Sequence, residues 1–130
     1  MNYDYREYFT YWKEWDTWEP RFDGINGVYA FRLKKSFGRL RGTSDILYIG
    51  MCNQNAEVNR RPGLWHRLNN YRQNLGGGSK RLKDVERLFG GKSCIQYSYV
   101  PCDSPREVER ALLANYYEKH LEIPPLNRSE

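Results

Sequence analysis

Two apolar runs, residues 27–33 (GVYAFRL) and 45–50 (DILYIG), limit what this chain can fold into more than any other feature. Each is short, rich in β-branched and aromatic residues, and bounded by Gly, Ser or Asp, the composition of strands that pair with a neighbour. The connection between them, residues 34–44, is rich in Lys, Arg, Gly and Ser, so the two runs read as a hairpin with a long polar loop. Such a hairpin puts Tyr29 and Tyr48 on adjacent strands.

The remaining elements follow from periodicity. Residues 3–18 read as a helix, with Tyr5, Phe9 and Trp12, joined by Tyr8 and Trp15, recurring at helical spacing and Pro20 ending it. Its net negative charge repels phosphate, so its aromatic side chains are expected to pack across the domain or against a second copy rather than stack on bases. After a turn at Asp23-Gly24 and the hairpin, residues 51–63 lack periodicity and read as a second loop. Leu64, Leu68, Tyr71 and Leu75 then mark one face of a helix, with Arg67 on its edge one turn before Tyr71, and Gly76-Gly77-Gly78 stops it. Residues 79–89 form a short basic helix with Leu82, Val85, Leu88 and Phe89 on its inner side, and residues 93–101 alternate like a third strand.

The expected fold class is α+β: a small three-stranded, mostly antiparallel sheet flanked by helices. An extra aromatic N-terminal helix (1–20) would pack on a unit spanning residues 24–127. At 130 residues the whole is expected to be one compact domain.

Charge is unevenly spread. Residues 60–92 hold nine Lys/Arg against two acids, while residues 1–23 hold three bases against six acids. A concentrated basic surface interleaved with aromatic residues attracts polyanions, of which nucleic acid is the commonest in a cytoplasm. No apolar run approaches the ~20 residues of a membrane span, no secretory leader is visible, and cytoplasm is the expected compartment. Cys52, Cys94 and Cys102 are odd in number and lack metal-ligand spacing, so free thiols are expected.

The last helix carries the most informative carboxylate. Ser104-Pro105-Arg106-Glu107 reads as a capping box with proline at the first helical position, which gives Glu107 a structural task. On that helix Glu109 falls in the middle of the face formed by Leu112, Leu113, Tyr116 and Tyr117, with Glu107, Glu118 and Glu122 opposite. An ionised carboxylate in an apolar stripe is costly to leave alone. Glu109 must therefore pair with a cation such as Arg67, accept hydrogen bonds, or bind a metal.

Together, GVY (27–29) followed by YIG (48–50) resembles the signature of the GIY-YIG nuclease superfamily. Arg67-Leu68-Asn69-Asn70-Tyr71 is similar to that family's arginine phrase, Glu109-Arg110-Ala111-Leu112-Leu113 to its glutamate phrase, and Pro124-Pro125-Leu126-Asn127 to its ending. The resemblance spans about Gly24 to Asn127 and implies a metal-dependent endonuclease acting on DNA. It implies Tyr29 as general base or water-positioning hydroxyl with Tyr48 beside it, and Arg67 on the scissile phosphate. It also implies Glu109 as the ligand of one Mg2+ or Mn2+ ion. Glu118 is the rival ligand, and His66 an alternative proton acceptor. Tyr71, Arg60, Arg61, Arg72, Lys80, Arg81 and Asn127 are expected to contact DNA, Asn127 also tying the C-terminal turn near the site. The alternative is a catalytically silent nucleic-acid-binding module of the same fold. Members of the family attach separate recognition modules, so a recognition partner, or a homodimer through the N-terminal helix, is also expected.

Overall fold

The computed structural model describes residues 3–17, 26–53, 63–73 and 77–127. In chain order these form α1 (Tyr5–Tyr8), β1 (Lys13–Glu14), β2 (Gly27–Gly38), β3 (Thr43–Cys52), α2 (Leu64–Arg72), α3 (Gly77–Phe89), a 3-10 turn (Lys92–Cys94), β4 (Ile95–Pro101) and α4 (Pro105–His120). All four strands join one antiparallel sheet in the order β1-β4-β2-β3. The fold is therefore α+β, with four strands where three were expected. Residues 23–24, the expected turn, lie outside the described residues.

The hairpin is longer than its sequence suggests. Strand pairing continues to Gly38 opposite Thr43, and Arg39 N–H closes the turn on the Gly42 carbonyl at 2.9 Å. The polar connection is thus mostly exposed strand rather than loop. A register shift between Phe31 and Arg32 marks a bulge in the β2–β3 ladder.

Strand alternation sends side chains to two cores. On one face Tyr29, Phe31, Leu33 and Tyr97 pack with Leu64 and Leu68 of α2 and Leu82 of α3. On the other, Val28, Ala30, Ile46 and Ile49 pack with Val108, Leu112 and Tyr116 of α4 and with Tyr5 and Phe9. Burying each such side chain contributes about 1.5–3 kcal/mol, so both layers are needed to hold the sheet.

The N-terminal segment corrects the expected helix over residues 3–18. Asp4 caps α1 by accepting from Arg6 N–H at 2.9 Å, but the helix lasts one turn and Phe9 leaves it in extended conformation. The chain then pairs with the open edge of β4 as β1, Lys13 opposite Tyr97 and Glu14 opposite Gln96. Tyr5 and Phe9 belong to the α4-side core, whereas Trp15 is buried in the opposite one. A strap that crosses a sheet edge can reach both cores; a single straight helix, with all its apolar residues on one stripe, cannot.

Trp15 is the strap's anchor. Its indole N–H donates to Glu86 Oε2 at 3.1 Å, and Arg72 lies over its ring at 4.9 Å while donating to its backbone carbonyl. Lys92 Nζ (3.2 Å) and Lys83 Nζ (3.7 Å) complete the surroundings of Glu86 Oε1. At the other side of the sheet, the C-terminal turn covers the free edge of β3: Leu126 N–H donates to Leu47 O at 2.9 Å, and the Asn127 side chain closes on Ile49.

Two further expectations are corrected. Ser104 makes no side-chain cap on α4; only its carbonyl takes part, accepting from Val108 N–H at 3.1 Å, so the capping box does not form. Helix α3 begins at Gly77, so two of the three glycines open a helix instead of stopping one, and its Leu88 and Phe89 face outward, 67% and 55% exposed. No helix among the described residues is long and apolar enough to cross a membrane.

Candidate functional site

The two signature glycines have steric reasons. A Cβ on Gly50 would stand 2.5 Å from the Tyr48 ring and 2.8 Å from the Tyr29 hydroxyl, because Gly50 is the cross-strand partner of Tyr29 and the phenol lies over it. A Cβ on Gly27 would run into the Val100 carbonyl on β4. Glycine lets β2 approach both neighbours closely at the level of the tyrosines.

Tyr29, Tyr48 and Tyr71 then form a cluster on the α2 side of the sheet. Ring centroids are 6.0 Å apart for Tyr29–Tyr48, 5.9 Å for Tyr29–Tyr71 and 6.1 Å for Tyr48–Tyr71. The Tyr29 and Tyr71 hydroxyls share a hydrogen bond of 3.1 Å in which either oxygen can donate. Tyr71, expected on DNA, is thus the immediate partner of Tyr29. Burial pushes the Tyr29 hydroxyl well above the ordinary phenol range, the neighbouring Tyr71 and Tyr48 add to this, and the charge of Arg67 pulls against it. Tyr71 is raised for the same reasons, burial first and Tyr48 next.

Glu109 approaches from the opposite layer. It does not lie at the centre of an apolar face: the buried stripe of α4 runs Val108, Leu112, Tyr116, His120, Tyr117 is exposed, and Glu109 is half-buried on the flank. Desolvation raises its pKa above the ordinary 4.5, opposed in decreasing order by Arg106, Arg110 and Arg67. Among the described residues no hydrogen bond or ion pair closes on its carboxylate, so the structural pairing with Arg67 does not form. Arg67 exerts its charge on Tyr29, Tyr71 and Glu109 together. Helix α2 packs on one face of the sheet and α4 on the other.

The other expected residues are distributed as follows. Arg60 and Arg61 lie outside the described residues. Arg72 is committed to Trp15. Lys80 is exposed on α3, and Arg81 half-buried with its Nε covered. Asn127 holds both backbone groups of Ile49, inside YIG, at 3.0 and 2.9 Å, which makes it a clip for the signature strand. His66 packs edge-on to Trp65 at 5.0 Å. Glu118, nine residues beyond Glu109, lies about 13 Å further along α4 and lines a cleft with Arg6, Arg41 and Lys119 instead. Arg106 and Arg110 were not anticipated; their positions three before and one after Glu109 on a helix were the available signal.

Chemically, the arrangement offers one open carboxylate for a hard cation, three guanidinium groups for phosphate oxygens, and three phenols beside them. Compared with known proteins, the chain matches no protein-family model, no curated protein and no solved structure.

Proposed function

We propose that this chain is a metal-dependent endonuclease of GIY-YIG type that hydrolyses DNA phosphodiester bonds at Tyr29, Tyr48, Arg67 and Glu109. One observation carries the reading: Glu109 is half-buried on α4 with no hydrogen bond or ion pair closing on it among the described residues, while Tyr29, Tyr48 and Tyr71 cluster across the sheet. A structural ion pair would have closed; this carboxylate stays open.

Glu109 suits a hard divalent ion, Mg2+ or Mn2+, since its carboxylate oxygens are spoken for by no described donor and burial makes its charge worth neutralising. Such an ion would supply positive charge at a phosphate oxygen and a more acidic bound water. Arg67 would grip the scissile phosphate through its planar fork and stabilise charge building on the equatorial oxygens. Tyr29 would orient the attacking water or take its proton, with Tyr71 holding its hydroxyl and Tyr48 walling the site. Its pKa stays raised even with the Arg67 charge pulling it down, so the further positive charge of a metal ion held by Glu109 is what would bring it into use as a base. Arg106, Arg110, Lys80 and Arg81 would track the DNA backbone.

The test is cleavage of plasmid and of branched or single-stranded DNA with and without Mg2+ or Mn2+, beside Glu109→Ala and Arg67→Ala. Absence of metal-dependent cutting, or cutting that both variants retain, sinks the reading. A second reading, a binding module that does not cut, is favoured by the covering of Tyr29, 1% exposed beneath its neighbours. It predicts salt-sensitive DNA binding that Glu109→Ala leaves intact, and no products. Among the described residues of the N-terminal segment, Tyr11 is the large exposed side chain a homodimer would use, since Tyr5, Phe9 and Trp15 are buried in the chain's own cores.

A further inference from the structure

Phe89 at the end of α3 does not stand alone on the surface. Phe89 and Val85 form one wall of a cleft of about 350 Å³, closed by Leu33 and Phe37 of β2 and by Leu126 of the C-terminal turn. Scattered exposed apolar side chains need no explanation, but large ones gathered around an apolar hollow mark a surface that something else covers. The charges around it have one sign. Lys35 and Arg39 line the cleft and no acid does. Lys35 is exposed and makes no ion pair among the described residues. Arg39 spends its terminal nitrogen on Ile123 O (2.5 Å) and Glu122 (3.4 Å), while its Nε is buried beside the cleft without a hydrogen-bond acceptor.

We propose that this cleft docks a segment of a partner protein in which bulky apolar residues sit next to carboxylates. The apolar residues fill the space between Phe37, Phe89 and Leu126, and a carboxylate meets the exposed Lys35 ammonium, with the Arg39 charge behind it. A second copy of this chain, docked face to face through the same surface, would bring Lys35 and Arg39 of two molecules together, which like charges oppose. Nucleic acid would need a row of free cations to track its backbone, and the cleft offers Lys35 and an Arg39 whose guanidinium already meets Glu122. Leu33 is four residues along β2 from Tyr29, about 13 Å at strand rise and on the same face of the sheet. A docked segment would thus lie beside the tyrosine cluster without covering it. The inference does not depend on the nuclease reading.

The test uses the full chain and fluorescein-labelled peptides carrying a Leu/Phe pair at varied spacing flanked by Glu, read by anisotropy. Companion peptides replace Glu with Lys, or the apolar pair with Ser. At least one acidic apolar peptide should bind saturably, and both replacements should abolish it. Phe89→Ser and Lys35→Glu should each weaken binding about tenfold or more, whereas Tyr11→Ser and Glu109→Ala should not change it. Phe89 and Lys35 are exposed, so unchanged circular dichroism checks that the variants fold. Four outcomes overturn the proposal: no peptide binds, the Lys peptides bind equally, binding is indifferent to Phe89→Ser, or the wild-type chain sediments as a dimer that Phe89→Ser makes monomeric. Cleavage measured on the same preparations reports separately on the nuclease reading.

Discussion

Glu86 and Glu109 both stand on helices that pack against the sheet, and the fold treats them in opposite ways. Glu86 is 7% exposed and fully engaged: an indole N–H and two ammonium groups lie within 4 Å of its oxygens. Glu109 is half-buried, yet no described group bonds to it, and Arg106, Arg110 and Arg67 act on it only through their charge. The first arrangement ties three pieces of chain together. The second leaves a half-buried carboxylate without a protein partner among the described residues, which is what the proposed metal ion would use. A buried acid is a functional candidate when its partners stay away, not merely because it is buried.

The sharpest way to break this contrast is catalytic. Glu109→Ala and Arg67→Ala should each lower metal-dependent DNA cleavage about 10²–10³-fold, in line with losing one transition-state contact, while thermal melting stays near that of the wild type. Glu86→Ala should do the reverse: about 1–3 kcal/mol lost in urea unfolding, the cost of leaving the Trp15 N–H unsatisfied, with unchanged cleavage per folded molecule. Gly50→Ala should harm both properties, by about 1–3 kcal/mol in stability, because its Cβ would press on the Tyr29 and Tyr48 rings.

Two smaller effects concern pH. The cleavage rate should climb from neutral into alkaline solution without levelling, because the Tyr29 hydroxyl titrates above the ordinary phenol range. A rate profile in Tyr29→Phe with the same slope would remove Tyr29 from the proton transfer. Glu109 sets the smallest signal. Its folded-state pKa is raised, so its contribution to stability is whole below the unfolded value and is lost as pH rises through the folded one. Glu109→Gln should therefore melt slightly higher than the wild type at neutral pH and equal to it in acid; scanning calorimetry at the two pH values checks the sign.

Much of the site was legible because it rests on local patterns. Alternation in GVYAFRL and DILYIG identified β2 and β3, and helical spacing placed Arg67 and Tyr71 one turn apart on α2. The strap was not legible. Tyr5, Phe9, Trp12 and Trp15 fit a helical period, but β4 lacked a partner on one edge, and pairing there outweighed the marginal stability of a short isolated helix. Arg72 shows the same limit: a basic residue beside a basic run reads as a phosphate contact, and only the position of Trp15 shows that it is engaged elsewhere. Leu88 and Phe89 fit the stripe of α3, yet a helix period says nothing about how far the surface beneath it extends.

For GVY and YIG, the sequence by itself determined the strand pair, the neighbouring tyrosines and the carboxylate worth watching, since alternation and helical phase are properties of consecutive residues. Only the tertiary structure decided that Gly50 must be bare because Tyr29 lies across it, that Asn127 clips Ile49, and that no described group closes on Glu109. Those facts depend on strand order and on which faces α2 and α4 cover, and strand order is set by the packing of distant segments, which no local period encodes.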